Sequence, residues 1–182
     1  MRRLLLPAVL IAFAAWPAVS DADVYLTKDE ALRDAFGDAR IERKSFILEE
    51  AQVNAVQQRA KARLESKIVA AYVAMVGDSL IGTAFFDTRI VRTMPGVFMM
   101  VIAPDVTVRE VQLLAFHEPS DYEPSRRWLG QYDGRPLEAG LWPKRDIRNI
   151  SGATLTARTI TESVRLALAM YEVLVVPELE AE

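Results

Sequence analysis

The sequence contains no cysteine and a single histidine, His117, among its 182 residues. Without cysteine the chain can form no disulfide bond, no catalytic thiolate, no lipid-modified N-terminal cysteine and no cysteine-ligated iron–sulfur cluster. Transition-metal sites usually recruit several imidazole or thiolate ligands, and one histidine does not meet that need. The sequence therefore predicts no metal site.

Basic residues form no cluster along the chain either. The formal net charge is −3 at pH 7 and the pI is about 5.4. Proteins that bind nucleic acid usually gather lysine and arginine on one face or along one helix. Nucleic acid is therefore not an expected partner.

The longest apolar run, from Leu4 to Trp16, is interrupted by Pro7. It is shorter than the roughly 20 residues that a membrane-spanning helix needs. Arg2 and Arg3 precede it and small residues follow it, as in a secretory signal. We predict that residues 1–22 are a signal peptide that is cleaved on export to the periplasm. The alternative is an uncleaved anchor that holds the protein on the periplasmic side of the membrane.

The remaining residues predict one domain, 23–177, and a short acidic tail, 178–182. Thr27 and Glu30 form a capping box that opens a helix predicted to end at Gly37. Apolar periodicity then predicts a strand in Ile41–Leu48, a helix over Glu49–Leu64, strands Ile68–Val76 and Leu80–Phe86 with a turn at 77–78, and strands Val97–Ala103 and Val106–Phe116 with a turn at 104–105.

A final helix is indicated by apolar residues at steps of four and three. Helices on both sides of hairpin strands predict an α+β domain with a largely antiparallel sheet and a long C-terminal helix. The charged residues of this helix are expected to face water: Arg158, Glu162, Arg165 and Glu172. Its apolar face is expected to pack on the sheet: Ile160, Val164, Ala167, Tyr171 and Leu174.

The tetrad Ser151-Gly152-Ala153-Thr154 stands directly before this helix. Small residues leave its backbone accessible, and N–H groups at a helix start attract anions such as phosphate. A Ser-Gly turn leading into a threonine-capped helix is also ordinary structure. Followed by Leu155-Thr156, the tetrad resembles the motif of the FMN-binding domain family. That family includes the flavin-carrying subunits of sodium-pumping NADH:quinone reductase and of the Rnf complex.

The resemblance implies a covalent cofactor. In the family, the last threonine of the tetrad carries FMN through a phosphoester that a dedicated flavin transferase installs. Carried over to this chain, the acceptor is Thr154, with Ser151, Gly152, Ala153 and Thr156 around the phosphate.

The resemblance extends over roughly Ile68 to Leu174. His117-Glu118-Pro119 partly matches a family loop after a long strand, and Trp128 begins a segment that matches the family better. This implies that His117, Glu118 and Trp128 line the flavin ring. From the residues alone, His117 can equally bond to backbone at a strand end, and Trp128 can equally belong to the core.

Three further positions have alternative interpretations. Arg89 and Arg92 could meet a phosphate or the flavin carbonyls, or they could pair with carboxylates at a strand end; Arg92 is taken as the candidate contact. Arg148 stands three residues before Ser151, where the family usually has an acidic residue. Asp146 or Asn149 could supply a polar partner in a shifted register.

We therefore predict an extracytoplasmic electron-transfer flavoprotein module with covalent FMN on Thr154. It would act as a redox carrier rather than a self-contained oxidoreductase, with a membrane or periplasmic redox partner. One alternative is a flavin-free binding or assembly module that keeps the fold. Another is an accessory subunit of a membrane redox complex.

Overall fold

The computed structural model describes residues 23–179. The predicted signal peptide, 1–22, and the last residues of the predicted tail, 180–182, lie outside the described residues. The elements follow one another in this order: β1 (Asp23–Val24), α1 (Lys28–Phe36), β2 (Arg40–Ile47), α2 (Glu50–Ala60), β3 (Ile68–Val76), β4 (Ser79–Ile90), β5 (Pro95–Ile102), β6 (Val108–Phe116), a 3₁₀ turn (Ser120–Tyr122), α3 (Arg126–Leu129), α4 (Thr154–Met170), a π-helical turn (Tyr171–Val175) and α5 (Val176–Leu179).

The strands form one antiparallel sheet in the order β1-β6-β5-β4-β3-β2. From β2 to β6 the chain runs as a meander in which each strand pairs with the next, and the two-residue β1 pairs with the outer edge of β6. The α+β domain predicted from the sequence, with its largely antiparallel sheet and its long C-terminal helix, is confirmed.

Each face of the sheet has its own core. On one face α2 and α4 pack against inward residues of the strands, such as Phe85, Phe98 and Met100. On the other face α1 packs on a smaller cluster that includes Tyr72 and Met99. The segment from α3 to α4 closes the edge of the larger core, because it contributes buried residues there: Leu129, Tyr132, Leu137, Leu141 and Ile147.

Helix α1 begins and ends where the sequence predicted. The Thr27 hydroxyl accepts the Glu30 N–H at 3.3 Å, and the Glu30 carboxylate accepts the Thr27 N–H at 2.8 Å. The helix ends at Gly37, which has φ 60°. Glycine meets little steric resistance there, since it has no Cβ.

Two predicted boundaries were wrong by four residues each. Helix α2 ends at Ala60 rather than Leu64, because Lys61 takes a left-handed conformation with φ 52°. Strand β4 continues past Phe86 to Ile90, since its pairing with β5 extends that far. Glu178, placed in the predicted tail, lies in α5 and pairs with Lys44 at 3.0 Å.

The C-terminal helix runs for 26 residues without a break, and its predicted apolar face is buried. Between α4 and α5 the hydrogen bonding widens to the π pattern, in which the Val176 N–H donates to the Tyr171 carbonyl. The next residue, Pro177, has no N–H to donate. Pro177 therefore lies where the π pattern has already replaced the regular α-helical hydrogen bonds.

Two arginines are buried, of which only Arg165 was expected to face water. Arg165, predicted to face water, is only 2% exposed: its Nε donates to the Ala60 carbonyl at 2.6 Å and its Nη1 to the Glu138 carbonyl at 2.7 Å. Arg89 lies inside β4 and pairs with Asp87 at 2.7 Å. Pairing with a carboxylate was one of the two alternatives for Arg89.

Among residues 23–179, no helix combines the length and the apolar character needed to cross a bilayer.

Candidate functional site

The start of α4 presents Thr154 to solvent. Gly152 has φ 76°, a left-handed conformation that a side chain would disfavour, and no atom lies within 4 Å of the place where its Cβ would be. Ala153 is buried and its N–H donates to the Ile150 carbonyl at 3.1 Å. This turn anchors the tetrad at Ala153, and Thr154, the first residue of the helix, is left exposed.

Asn149 is the polar partner of the Thr154 hydroxyl. Its Nδ2 donates to Thr154 Oγ1 at 2.9 Å, while its Oδ1 is buried and has no partner within the described part of the chain. A half-turn of the amide would exchange these two atoms, and Oδ1 would then accept the hydroxyl hydrogen. The contact in either orientation holds the threonine hydroxyl in place.

No side chain of residues 23–179 caps the N-terminus of α4. Ala153 occupies the N-cap position, and the first turn contains no acidic residue. The first N–H groups of an α-helix have no partner within the helix, and they carry the positive end of its dipole. The group best suited to this place is an anion that reaches Thr154 from outside.

Hydrogen bonds with Trp128 and Gln131 fix the backbone of the segment before the tetrad. The Trp128 indole Nε1 donates to the Arg148 carbonyl at 2.6 Å, and the Arg148 N–H donates to Gln131 Oε1 at 2.9 Å. Both backbone groups of Arg148 are therefore held, while its side chain is exposed. Trp128 thus reaches the segment beside Thr154 through hydrogen bonding, and its ring packs edge-on against Tyr132 at 5.6 Å.

Asp146 does not take the place of the missing acidic residue. Its carboxylate packs so closely against Gly140 that a Cβ on that glycine would clash with Asp146 Oδ2. Of the two neighbours that could supply a polar partner to Thr154, the structure uses Asn149.

The hydroxyls of the tetrad region differ in exposure. Ser151 is exposed, whereas Thr156 is only 1% exposed and lies against the core. Thr154 and Ser151 are therefore open to a reagent from solvent, and Thr156 is shielded from it.

Glu118 belongs to a different arrangement. Glu118 is 7% exposed, and its carboxylate accepts the backbone N–H groups of Arg92, Thr93 and Met94 in the turn between β4 and β5. Burial opposes the charge of Glu118, but these backbone donors outweigh it and hold the pKa of the carboxyl below its usual value. The side chain fastens the β4–β5 turn.

His117 and Arg92 lie beside this turn. The His117 N–H donates to the Pro95 carbonyl at 3.1 Å, and the Arg92 guanidinium stacks over the Tyr122 ring at 4.8 Å. Within residues 23–179, no hydrogen bond, ion pair or ring contact joins this group to Thr154 or Asn149. The predicted site residues thus form two separate groups, one at the start of α4 and one at the β4–β5 turn.

Neither described cavity is lined by the predicted site residues. A cavity of about 580 Å³ lies between β6 and the segment from Glu123 to Asp133. A second, of about 340 Å³, lies between residues 64–72 and residues 85–89, with Leu166 and Met170 of α4 also in its lining. Among the described residues no cluster of three acidic or histidine side chains is placed to hold a metal ion.

Sequence reasoning missed the role of Gln131 and left that of Asn149 open. Both act through contacts set by loop geometry, and a local sequence pattern does not report such contacts. The only signal was the polar character of Asn149 two residues before Ser151. No protein-family model matches this chain, and no curated protein matches its sequence.

Proposed function

We propose that this protein is an extracytoplasmic electron-transfer module that carries FMN through a phosphoester on Thr154. The observation that carries the proposal is the exposed Thr154 hydroxyl at the open N-terminus of a 26-residue helix. The sequence resemblance of the tetrad supplies the identity of the cofactor.

The residues at this place fit a phosphoester. Gly152 leaves open space beside the acceptor, and neither a capping side chain nor an acidic residue competes for the first N–H groups of α4. A negative charge near a helix N-terminus is worth typically about 0.3–1 kcal/mol. FMN itself, when bound, supplies reversible electron uptake.

Attachment requires a partner enzyme and an activated flavin nucleotide whose phosphate already carries a leaving group. The Thr154 Oγ–P bond forms, the bond from phosphorus to the leaving group breaks, and the hydroxyl proton passes to a base on the transferase. Asn149 contributes by holding the Thr154 hydroxyl at 2.9 Å. Its neutral amide can orient the oxygen, whereas the acidic residue usual in the family could also take a proton.

The first prediction concerns the acceptor. When the chain is produced with a flavin transferase, Thr154→Ala should abolish the added mass of one FMN residue in intact mass spectrometry and the flavin absorbance, with unchanged far-UV circular dichroism. Ser151→Ala, which removes the other exposed hydroxyl of the tetrad, is the matched control and should keep the flavin. Flavin retained by Thr154→Ala would move the acceptor to another hydroxyl. A wild-type chain that gains no mass beside an active transferase would favour the flavin-free binding or assembly module.

A further inference from the structure

Strand β6 is hydrogen-bonded along its outer edge only near its two ends. At one end the Val108 N–H donates to the Arg135 carbonyl at 2.9 Å. At the other end β1 pairs with the last two residues of β6, and the Leu114 carbonyl accepts the Tyr25 N–H at 2.8 Å. Between these ends, residues 109–113 have no strand partner in the described part of the chain except β5, which lies on the inner edge. An unpaired strand edge is a template for pairing with another chain.

The cavity of about 580 Å³ lies along this unpaired edge. Residues 110–113 of β6 form one wall, and the segment from Glu123 to Asp133 forms the wall across from it. Five residues of a strand extend for about 17 Å, and a neighbouring strand would lie about 4.8 Å from β6. The cavity is therefore placed where one further strand would pair with β6.

Negative charge prevails in the lining of this cavity. Four carboxylates and one guanidinium line it: Asp34, Glu110, Glu123, Asp133 and Arg126. Within residues 23–179 none of the four carboxylates has a cationic partner. Glu123 accepts the Tyr25 hydroxyl at 2.9 Å, and Glu110 accepts the Gln112 amide at 3.2 Å, but both of these donors are neutral. A cationic ligand would offset the excess of negative charge.

The two faces beside the unpaired edge differ in polarity. Glu110 lies opposite Val101, which belongs to the smaller core under α1, and Asp34 comes from α1 itself. On the other face, Val111 and Leu113 pack on the larger core. Successive side chains of a strand point to opposite faces. An added strand would therefore place alternate residues beside carboxylates and the others beside apolar side chains.

We propose that β6 binds an extended segment of another protein as an added strand in this cavity, and that basic and apolar residues alternate in that segment. The basic residues face Asp34 and Glu110, and the apolar residues lie on Val111 and Leu113. In strand addition the main-chain hydrogen bonds supply affinity and the alternating side chains supply specificity. The inference does not depend on the flavin.

Charge argues against a second copy of this chain as the occupant. If the β6 edges of two copies paired, the acidic lining of one cavity would meet the same lining of the other, and like charges across an interface oppose binding. The segment from Glu123 to Asp133 also stands where the sheet of the second copy would have to enter. A single basic strand meets neither obstacle.

The test begins with three short peptides that have blocked termini. The first alternates lysine and valine over five residues. The second has the same sequence with N-methyl groups on its backbone amides, so it keeps the charge but cannot donate main-chain hydrogen bonds to β6. The third has glutamate in place of lysine, and it keeps the main-chain donors while reversing the charge.

Two double variants of the protein locate the contact. Asp34→Asn with Glu110→Gln removes two charges from the cavity lining and keeps the size of each side chain. Glu42→Gln with Asp78→Asn is the matched control, since it removes the same charge from exposed positions in β2 and in the turn between β3 and β4. Far-UV circular dichroism checks that both variants fold.

Binding is measured by fluorescence anisotropy of the labelled peptides, and the contact is located by amide hydrogen exchange. We expect the lysine peptide to bind wild type and the control variant equally, to slow exchange in residues 109–113, and to bind less tightly as salt is raised. The cavity variant should bind it about fivefold more weakly. The N-methylated and glutamate peptides should bind wild type at least about tenfold more weakly than the lysine peptide.

Three results would overturn the proposal. The first is no binding of the lysine peptide to wild type. The second is equal binding of the N-methylated peptide, which would indicate a purely ionic contact such as a polyamine makes. The third is equal binding by the cavity variant and the control variant.

Discussion

Helices α1 and α4 cover opposite faces of the same sheet, and their N-termini differ. At α1, the Thr27 hydroxyl and the Glu30 carboxylate occupy each other's backbone N–H groups, and Asp29 adds a second negative charge. At α4, an alanine stands at the N-cap and no acidic residue follows it in the first turn. Side chains at the start of α1 accept its first backbone N–H groups, whereas no side chain of the described residues does so at the start of α4.

The backbone explains why α4 stays open. Thr27 has ψ 161° and Ser125, which caps α3, has ψ 153°, both in the extended region that aims an N-cap side chain at the first turn. Ala153 has ψ 48°. A capping side chain there would point elsewhere, so the turn after Gly152 keeps the first N–H groups of α4 free for an external anion.

The largest expected effect tests what holds α4 in place. Arg165→Met removes a buried guanidinium and leaves the carbonyls of Ala60 and Glu138 without its donors. We expect a loss of about 3 kcal/mol in the free energy of unfolding by urea, since buried acceptors without partners are costly. Arg158→Met is the control on the same helix; its exposed pair with Glu162 is worth less than about 0.5 kcal/mol. Equal losses of unfolding free energy in both variants would show that the Arg165 hydrogen bonds do not hold α4 against α2.

A smaller effect tests the two N-termini directly. Thr27→Ala should lower the free energy of unfolding by about 1 kcal/mol, because it removes a working cap. Ala153→Ser adds a hydroxyl at the equivalent position of α4 and should give no gain, since ψ at that residue is wrong for capping. Urea unfolding monitored by circular dichroism measures both. A gain of about 1 kcal/mol from Ala153→Ser would show an ordinary N-cap that merely lacks its side chain, and the contrast between the two helices would fail.

Sequence patterns predicted local features well. The capping box of α1, the hairpin strands and the amphipathic C-terminal helix all depend on residues close together in the chain, and periodicity reports such features directly. The placement of Thr154 at the start of α4 also followed from sequence, because a run of small residues precedes a strongly periodic segment.

Sequence patterns did not predict contacts between residues far apart in the chain. Arg165 reads as solvent-facing because it is charged, yet the carbonyls that bury it come from α2 and from the loop around Glu138. Glu118, which the family resemblance places at the flavin ring, accepts hydrogen bonds from a turn 24–26 residues away, and these contacts were not predicted. No local pattern contains the partner in either case.

The smallest expected effect concerns Arg148 and depends on whether an anion is present. Arg148 directly precedes Asn149, which contacts Thr154, and we expect its long, exposed side chain to extend to the α4 N-terminus. A cation near the positive end of a helix dipole is unfavourable, and a phosphoester on Thr154 would make the same cation favourable. In the unmodified chain, Arg148→Gln should therefore raise stability by a few tenths of a kcal/mol, about 1–2 °C in Tm. In the flavin-carrying chain the same substitution should lower Tm. Arg40→Gln, an exposed change at the start of β2, controls for net charge. Calorimetry on both forms measures the change in Tm. A change of the same sign in each would mean that Arg148 does not interact with the phosphate.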